Sequence, residues 1–345
     1  MFRGHRTVTG IIVAAALCAV ASPAYAQSPP SNDNYLSSTV IPAASTTGLS
    51  SATFSDTQDL TGATTQTDLF NPDQHGVPFA GAGPEPLTCN GSSYGHTIWY
   101  DLHPQVPEGV ELQTAGLPNA IAVYQWDTAT SKIVRLVGCQ VTTGIAPNDL
   151  ILPFELQKGK AYTVQIGGLQ TAAGLAAGPL SFNATVFPDH DGDGVYDSLD
   201  ACPSLAGIPR FGGCPPTISP GLIYAYRTVG GGLGLTRFQV GGIVGGARVE
   251  ARCSCGVHQV LTAGGRATSL TMNGFVGRTI PSGATVEVWV TKRAAGHGTY
   301  RHGAIGGYLK YGAKLTGLGL PTKRCLMPGS RSPQRQCPAG GRRHA

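Results

Sequence analysis

The sequence predicts an all-β protein in which many short strands are joined by turns. Apolar and polar residues alternate with a period of two in Tyr162–Ile166, Ser181–Val186 and Val286–Val290, a pattern typical of half-buried antiparallel strands. Glycine and proline account for 49 and 25 of the 345 residues, which disfavours long helices and supplies turns. We therefore expect an N-terminal antiparallel β-sandwich, a short acidic segment and a C-terminal glycine-rich β-domain.

The first residues have the features of an export signal. Arg3 and Arg6 precede an apolar run, Ile11–Val20, and Ala24–Ala26 has the small-x-small pattern of a cleavage site. The run is too short to cross a bilayer, and no later segment approaches the roughly 18 apolar residues that a spanning helix needs. We expect residues 1–26 to be a signal peptide and the mature protein to be secreted, without a transmembrane segment.

Removal of the signal leaves eight cysteines, and an even number in an exported protein favours disulfides over metal or catalytic thiolates. A ring between Cys253 and Cys255 would be strained, so their pairing with each other or elsewhere stays open. The other pairs suggested by the sequence are Cys89–Cys139, Cys202–Cys214 and Cys325–Cys337.

Charge divides the chain into two opposite halves. Residues 27–217 carry 17 acidic and 5 basic side chains, a net charge of −12, whereas residues 218–345 carry 2 acidic and 17 basic, a net charge of +15. The basic half could bind an anionic cell-surface polymer or polysaccharide, or could simply be a solvated surface. Nucleic acid is not expected as a partner, since no known binding motif is present and the protein is exported. Candidate contacts are Lys292, Arg293, Arg301, Lys310, Lys314, Lys323, Arg324, Arg331 and Arg335.

Residues 27–187 form the predicted sandwich, because β-rich runs recur there between Gly, Pro, Asn and Asp. Five of these runs resemble the bacterial pre-peptidase C-terminal domain, a β-sandwich found beside secreted bacterial peptidases. The resemblance implies the fold and a non-catalytic accessory role. The runs are Asn32–Tyr35, Thr97–Leu102, Ile121–Tyr124, Gly159–Gly167 and Leu180–Asn183.

The most specific pattern is a twelve-residue stretch, Asp189–Asp200, which we call the aspartate loop. Carboxylates occupy positions 1, 3, 5, 9 and 12, and Gly194 occupies position 6, the spacing by which a loop wraps oxygen ligands around Ca²⁺. At an effective dielectric near 20, two like charges about 4 Å apart repel by about 4 kcal/mol, a cost that a cation removes. Mg²⁺ fits less well because it keeps its waters. The predicted ligands are Asp189, Asp191, Asp193, the carbonyl oxygen of Val195, Asp197 and Asp200.

Residues 188–216, which we call the linking segment, resemble a single thrombospondin type 3 repeat. Asp197–Pro203 has the pattern Asp-x-x-Asp-x-Cys-Pro, and Gly212–Pro215 follows it. The resemblance implies calcium ligands at the six positions above. An acidic solvated linker is the alternative. We expect the ion to stiffen the joint between two domains, since chelation orders a segment too short to have a core, although a regulatory role is also open.

Residues 217–320 form a second predicted β-domain, basic and rich in glycine. Its two Gly-Ala-x-Val strands, Gly246–Val249 and Gly283–Val286, resemble an uncharacterised repeat of secreted bacterial proteins in which the first of these strands precedes paired cysteines. Residues 321–345 are rich in Pro, Arg and Ser, and we expect them to form an extended basic tail closed by a disulfide.

These features favour a secreted, non-enzymatic, calcium-binding protein with an adhesion or binding role, which the thrombospondin resemblance implies by analogy of fold. A carbohydrate-binding accessory module is one alternative, with Trp99, Trp126 and Tyr124 as a sugar-stacking face, although their apolar strands favour core packing. A secreted hydrolase is another: His96 and Asp101 lie near two serines, but no nucleophile elbow or oxyanion-loop pattern accompanies them.

Overall fold

A computed structural model describes residues 28–66, 84–127, 132–295 and 298–338. These residues form twenty-one strands and five short 3₁₀ helices, and no α-helix occurs among them. The predicted all-β class is therefore confirmed. The predicted signal peptide, residues 1–26, lies outside the described residues.

The strands are numbered in chain order. The first eleven are β1 (Thr39–Val40), β2 (Ala52–Asp59), β3 (Thr88–Cys89), β4 (Ser92–Leu102), β5 (Glu108–Ala115), β6 (Asn119–Asp127), β7 (Lys132–Thr142), β8 (Asn148–Leu156), β9 (Ala161–Thr171), β10 (Gly174–Leu175) and β11 (Pro179–Pro188). The others are β12 (Gly221–Val229), β13 (Gly232–Gly241), β14 (Arg248–Cys253), β15 (His258–Thr262), β16 (Ser269–Thr271), β17 (Thr279–Pro281), β18 (Thr285–Lys292), β19 (Ala304–Lys314), β20 (Gly317–Leu318) and β21 (Thr322–Leu326). The 3₁₀ helices are Tyr35–Ser37, Leu60–Gly62, Pro209–Phe211, Asn273–Phe275 and Gly298–Tyr300.

Strands β1 to β11 form two sheets around one hydrophobic core, which we call the N-terminal sandwich. One sheet has the order β1-β4-β9-β6-β7, with β3 on β4 and β10 on β9, and the other has the order β2-β11-β5-β8. Side chains of both sheets meet in the core, where the ring centroids of Tyr100 and Phe182 lie 4.4 Å apart. The pairing is antiparallel as predicted, with one exception at the edge, where β1 and β4 run parallel.

Strand β9 lies between β4 and β6 and is buried on both faces over most of its length. The alternation in Tyr162–Ile166 predicted one solvated face, and this prediction is wrong, because the polar residues Thr163 and Gln165 are both 0% exposed. The Gln165 side chain accepts a hydrogen bond from the Tyr94 hydroxyl (2.7 Å) and donates one to Glu85 (3.2 Å). The polar positions of this strand therefore serve a buried hydrogen-bond network.

Glu85 is the carboxylic acid of that network and is buried. Its carboxylate accepts hydrogen bonds from the Gln66 backbone N–H (2.8 Å), the Thr97 hydroxyl (2.7 Å) and the Gln165 amide (3.2 Å). Burial raises the pKa of Glu85 to about 7, although the three hydrogen bonds favour the charged form. Because this pKa differs from that of an unfolded chain, Glu85 makes stability depend on pH.

We expect Glu85→Gln to remove part of this pH dependence. The Glu85 carboxyl has an ordinary pKa of 4.5 and a folded-state pKa of about 7, so the folded protein binds an extra proton between these values. The stabilising contribution is fully present below the lower value and is lost as pH rises through the higher one, by at most about 3 kcal/mol. Urea unfolding in EDTA from about pH 5 to about pH 8 measures this difference. The exposed Glu155→Gln should follow wild type, whereas parallel curves for wild type and Glu85→Gln would contradict the assignment.

Strands β12 to β21 form a second pair of sheets, the C-terminal body, with a core of its own. The orders are β12-β13-β16 with β17 on β13, and β15-β14-β18-β19-β20 with β21 on β19. The alternation predicted in Val286–Val290 is confirmed, since its three valines are buried in this core. Strand β21 pairs with β19 within the stretch that was predicted to be an extended tail, residues 321–345, so the sheet continues to Leu326. Residues 339–345 of that tail lie outside the described residues.

Four disulfides connect the eight cysteines of the described residues. They join Cα atoms 5.0 to 5.8 Å apart and include the three pairs that the sequence suggests. Cys253 and Cys255, whose pairing the sequence leaves open, are bonded to each other. Several disulfides indicate an oxidising location, extracellular or periplasmic. Within the described ranges, no helix has the length and apolar character needed to span a membrane.

Candidate metal centre

The aspartate loop begins directly after β11 and is tied to the N-terminal sandwich by a hydrogen bond from the Asp189 N–H to the Pro107 carbonyl oxygen (2.9 Å). It brings Asp189, Asp191 and Asp193 together, so that one carboxylate oxygen of each lies within 4.8 Å of the others. Asp189 and Asp193 are buried, and Asp191 is half-buried. Three of the predicted ligands therefore form one cluster, which we call the aspartate cluster.

The loop folds around the carboxylate of Asp189. The backbone N–H groups of Gly192, Asp193 and Gly194 donate to its two oxygens at 2.9, 3.2 and 3.0 Å. Gly192 and Gly194 have φ values of +71° and +90°, a region that favours glycine. Gly194 at position 6 thus permits the bend that the spacing predicts.

Asp193 connects the loop to the rest of the linking segment. Its two carboxylate oxygens accept hydrogen bonds from the N–H groups of Val195 (2.9 Å) and Gly207 (2.8 Å). The Arg301 guanidinium of the C-terminal body donates to the Asp193 carbonyl oxygen at 2.9 Å. The contribution of the Val195 carbonyl oxygen to a metal site stays a prediction.

Asp197, the predicted ligand at position 9, has a different partner. Asp197 is buried, and its oxygens accept two hydrogen bonds from His190. One comes from the backbone N–H (3.0 Å) and the other from Nδ1 of the imidazole ring. The hydrogen bond to Asp197 is the main cause that raises the pKa of His190. The structure therefore leaves Asp197 outside the aspartate cluster. No spacing rule predicts this pairing, because His190 occupies a position of the loop that supplies no ligand.

Asp200, the predicted ligand at position 12, lies beside the aspartate cluster but not within it. Its Oδ1 accepts a hydrogen bond from the Cys202 N–H at 2.6 Å. Gly213 packs directly against the carboxylate, since a Cβ at Gly213 would lie 2.0 Å from Asp200 Oδ1. Oδ2 of Asp200 and Oδ2 of Asp191 are both buried without a hydrogen-bond partner.

Three carboxyl groups of the loop, those of Asp189, Asp191 and Asp200, have a raised pKa. Burial, together with the charges of Asp193, Asp200 and Asp189, raises the pKa of Asp191 to about 7. Burial, followed by the neighbouring charges, raises the pKa of Asp200 to about 6. Without a cation, part of the loop is therefore protonated near neutral pH, the expected behaviour of crowded carboxylates that lack a counter-ion.

This donor set fits a hard divalent cation. Every side-chain donor is a carboxylate oxygen, the ligand type that Ca²⁺ and Mg²⁺ prefer. The two buried oxygens of Asp191 and Asp200 lack partners, and a cation would provide for both their charge and their lone pairs. The aspartate cluster could therefore hold a metal ion.

The aspartate loop is fixed to the N-terminal sandwich by Tyr196. Its ring centroid lies 4.4 Å from that of Phe154 and 5.0 Å from that of Phe187. Its hydroxyl lies over Gly109 of β5, where a Cβ would approach to 2.3 Å. At its other end, the linking segment leads into a parallel bridge with β19. The cluster thus lies in a segment that contacts both β-bodies.

The aromatic residues considered as a sugar-stacking face are buried. Trp99 is 0% exposed, and Trp126 and Tyr124 are each 4% exposed. Tyr35 stacks on Trp126 with ring centroids 4.4 Å apart and also contacts Trp99 edge-on. These rings pack inside the N-terminal sandwich and form no open stacking surface.

The residues considered for a hydrolase site also have other partners. His96 Nδ1 lies 2.6 Å from the Ala63 carbonyl oxygen, and Asp101 accepts a hydrogen bond from the Ser38 hydroxyl at 2.5 Å. These contacts connect β4 to the preceding chain and do not join His96 to Asp101. They therefore give no support to a catalytic pair.

Comparisons with known proteins find only distant structural similarity. No protein family description and no curated protein match the chain. The chain is similar to PliG of Aeromonas hydrophila, a periplasmic inhibitor of g-type lysozyme, with 13% identity, a TM-score of 0.21, and coverage of 43% of this chain and 96% of that one. It is also similar to an FMN-binding β-glucuronidase from Facaelibacterium prausnitzii, with 11% identity, a TM-score of 0.18, and coverage of 66% of this chain and 34% of that one. A β-galacturonidase from Eisenbergiella tayi gives 10% identity, a TM-score of 0.19, and coverage of 68% and 40%. The chain spans less than half of either glycosidase, and similarities this weak carry no conclusion about its function.

Proposed function

We propose that this is a secreted, non-enzymatic, calcium-binding protein of the extracellular adhesion or binding type, in which Ca²⁺ stiffens the joint between its two β-bodies. One observation carries the proposal: the aspartate cluster and Asp200, with one unpaired buried oxygen on Asp191 and one on Asp200, lie in a segment that contacts both bodies. The resemblance to a thrombospondin type 3 repeat supports calcium as the ion and an adhesive setting. The four disulfides agree with secretion.

Calcium suits this site better than magnesium. Ca²⁺ accepts six to eight oxygen ligands in flexible geometry, whereas Mg²⁺ requires a near-ideal octahedron and keeps several waters. Asp189, Asp191 and Asp193 would hold the ion, with Asp200 and the carbonyl oxygen of Val195 completing the set. Asp197 would join only if it released His190. Bound calcium would offset two negative charges of the loop and supply the order that the linking segment cannot gain from a core.

Asp191→Asn is the most informative test, because it should weaken calcium binding and yet stabilise the metal-free protein. Asp191 Oδ1 accepts one hydrogen bond, from the Asp193 N–H, and Oδ2 accepts none, so an asparagine can keep the existing bond while removing the charge. We expect the variant to bind calcium at least about tenfold more weakly. Without metal it should melt higher than wild type, by roughly 2–4 °C for each kcal/mol of repulsion removed. Calorimetric calcium titration and thermal unfolding in EDTA measure the two effects.

Asp149→Asn is the matched control for that test. Asp149 is exposed on β8 and belongs to the same acidic half, so its loss changes the net charge equally and leaves the loop intact. We expect this control to bind calcium as wild type does. If wild type took up no calcium, or if Asp191→Asn took it up with unchanged affinity, the aspartate loop would not be a calcium site. A magnesium titration that reproduced the calcium result would contradict the choice of ion.

A further inference from the structure

A cleft of about 600 Å³ opens beside the larger sheet of the C-terminal body. Alternate residues of β14 (Arg248, Glu250 and Arg252) line it, while the residues between them face the core. Trp289 of β18 lies opposite Glu250 of β14 and also lines the cleft. Residues Met327–Arg331, which follow β21, line another part of it. We call this the basic cleft. Its volume lies within the range of roughly 300–1,000 Å³ that binding pockets occupy.

Glu250 is a buried carboxylate that organises the cations of the cleft. It accepts a hydrogen bond from Arg248 Nη1 at 2.5 Å, pairs with the Arg252 guanidinium and lies 3.1 Å from His258 Nε2. Burial alone would raise the pKa of Glu250, but the hydrogen bonds from Arg248 and Arg252 outweigh it and the pKa is lowered. Glu250 is therefore charged, and it holds two guanidinium groups in place.

The two arginines are fixed and yet accessible. The side chains of Arg248 and Arg252 are 49% and 54% exposed, although each is bonded to Glu250. The Arg252 guanidinium also lies over the Trp289 ring, 4.7 Å from its centroid. The ring centroids of Trp289 and Tyr308 are 5.1 Å apart. An arginine already held by a carboxylate and a ring loses little conformational freedom when it binds an anion.

Positive charge in the basic cleft exceeds what the protein itself neutralises. Five cationic residues line the cleft, and Glu250 is the one acidic residue among its lining residues. Among the described residues, no carboxylate lies within ion-pair distance of Lys292, Arg293 or Arg331. The whole basic half, residues 218–345, contains only two acidic side chains. A bound anion would therefore meet cations that the C-terminal body leaves without a carboxylate partner.

The arrangement favours a polymer with spaced carboxylates and hydroxyls. Guanidinium groups bind carboxylates and phosphates with two parallel hydrogen bonds, and the hydroxyl side chains of Thr291 and Ser330, which suit sugar hydroxyls, also line the cleft. Single-stranded nucleic acid needs a series of open aromatic faces, whereas the cleft contains one tryptophan, which Arg252 covers on one face. An extended acidic peptide binds most readily along a free strand edge, whereas β14 and β18 are flanked by strands on both sides.

We infer that the basic cleft binds an acidic polysaccharide, with Arg248, Arg252, Arg293 and Arg331 contacting the carboxylates of its uronate residues. This inference rests on the binding role proposed above and specifies its ligand class. The sheet supplies rigid positions for Arg248 and Arg252 through Glu250. Arg293 and Arg331 supply the cations that no internal carboxylate neutralises.

The test is the binding of oligogalacturonate to the full-length protein. We expect binding that weakens as sodium chloride rises from about 50 to about 300 mM, since the contacts are ionic and partly exposed. Arg293→Gln combined with Arg331→Gln should weaken it at least about tenfold, because two charge-assisted contacts are lost. These two arginines are chosen because neither pairs with Glu250, so their loss leaves no buried charge unpaired.

The control removes the same charge from the other sheet. Arg227 and Arg237 are exposed on β12 and β13, and Arg227→Gln with Arg237→Gln should change the affinity by less than about twofold. A loss equal to that of the cleft variant would mean diffuse charge attraction and would overturn the inference. Absence of oligogalacturonate binding at low salt would also overturn it, as would equal or tighter binding of polyglutamate or single-stranded DNA.

Calcium separates this inference from the proposed joint. The cleft residues belong to the C-terminal body, so oligogalacturonate binding should persist in EDTA and in Asp191→Asn. Binding that persists while calorimetry detects no calcium would overturn the calcium site and support the cleft. Calcium uptake without oligosaccharide binding would do the reverse.

Discussion

Removing calcium with EDTA should speed tryptic cleavage after Arg210 by about 100-fold. Arg210 is exposed, and it is the only lysine or arginine between Lys160 and Arg227. Asp193 of the aspartate loop holds the turn that contains Arg210 by accepting a hydrogen bond from the Gly207 N–H. Directly after the loop, the Ala201 N–H donates to the Gly212 carbonyl oxygen, and Gly213 packs against the carboxylate of Asp200. An ordered aspartate loop therefore also protects the bond after Arg210 from trypsin.

The magnitude follows from mass action. Calcium at about 100 times its dissociation constant stabilises the bound form by about 2.7 kcal/mol, which suppresses local opening about 100-fold when cleavage tracks the open population. The Cys202–Cys214 disulfide spans Arg210, so the two fragments separate on a gel only after reduction. The measurement is the rate at which the reduced fragments appear, with and without calcium.

The same digestion contains its own control. Lys158 and Lys160 lie in the turn between β8 and β9 of the N-terminal sandwich, remote in sequence from the loop, and cleavage there should be unaffected by EDTA. In Asp191→Asn the rate at Arg210 should no longer respond to added calcium. Equal rates at Arg210 in wild type with and without calcium would remove the proposed stiffening role.

The fold could be predicted from the sequence wherever one face of a strand meets solvent. Val286–Val290 alternates because β18 packs its valines on the core and leaves the residues between them less buried. The same pattern in Tyr162–Ile166 was misleading, because β9 is central and a second layer of polar and aromatic residues covers its other face. Alternation in the sequence shows only which positions are polar. Polar residues in a buried hydrogen-bond network give the same pattern as polar residues facing solvent, so the sequence cannot distinguish the two.

The candidate metal site was predictable in part for a similar reason. Asp189, Asp191 and Asp193 are close in sequence, and the glycines between and after them force a tight turn, so spacing alone brings these carboxylates together. Asp197 lies farther along the chain, where competition with other partners decides its position, and His190 captures it. Such competition depends on three-dimensional placement, which no spacing rule contains.

For the basic cleft, the sequence could not show which basic residues lie together. Charge asymmetry in the sequence left open an anionic partner or a solvated surface, and it could not separate the nine candidate basic residues from one another. The structure assigns Lys292, Arg293 and Arg331 of that set to one cleft, and it adds Arg248 and Arg252. The Arg-x-Glu-x-Arg alternation of β14 was visible, but its meaning depends on Glu250 being buried while both arginines reach solvent.

Replacing Cys89 and Cys139 by alanine should destabilise the N-terminal sandwich more than any single contact would. Their disulfide closes a loop with a sequence separation of 50 residues and links β3 to β7 over a small cluster with Tyr94 and Ala120. A loop of that length restricts the unfolded chain by about 4 kcal/mol in the chain-entropy description. For a domain of roughly 160 residues, this lowers the melting temperature by roughly 8–16 °C.

Cys253→Ala with Cys255→Ala is the matched control, because it removes the same chemistry from the other β-body. That disulfide has a sequence separation of 2, so it restricts the unfolded chain far less, and it lies in the C-terminal body. Differential scanning calorimetry should show the sandwich transition lowered in the first variant and unchanged in the second. A shift below about 3 °C in the first variant would mean that the loop is already restricted before folding, since the entropic contribution depends on the freedom of the reduced chain.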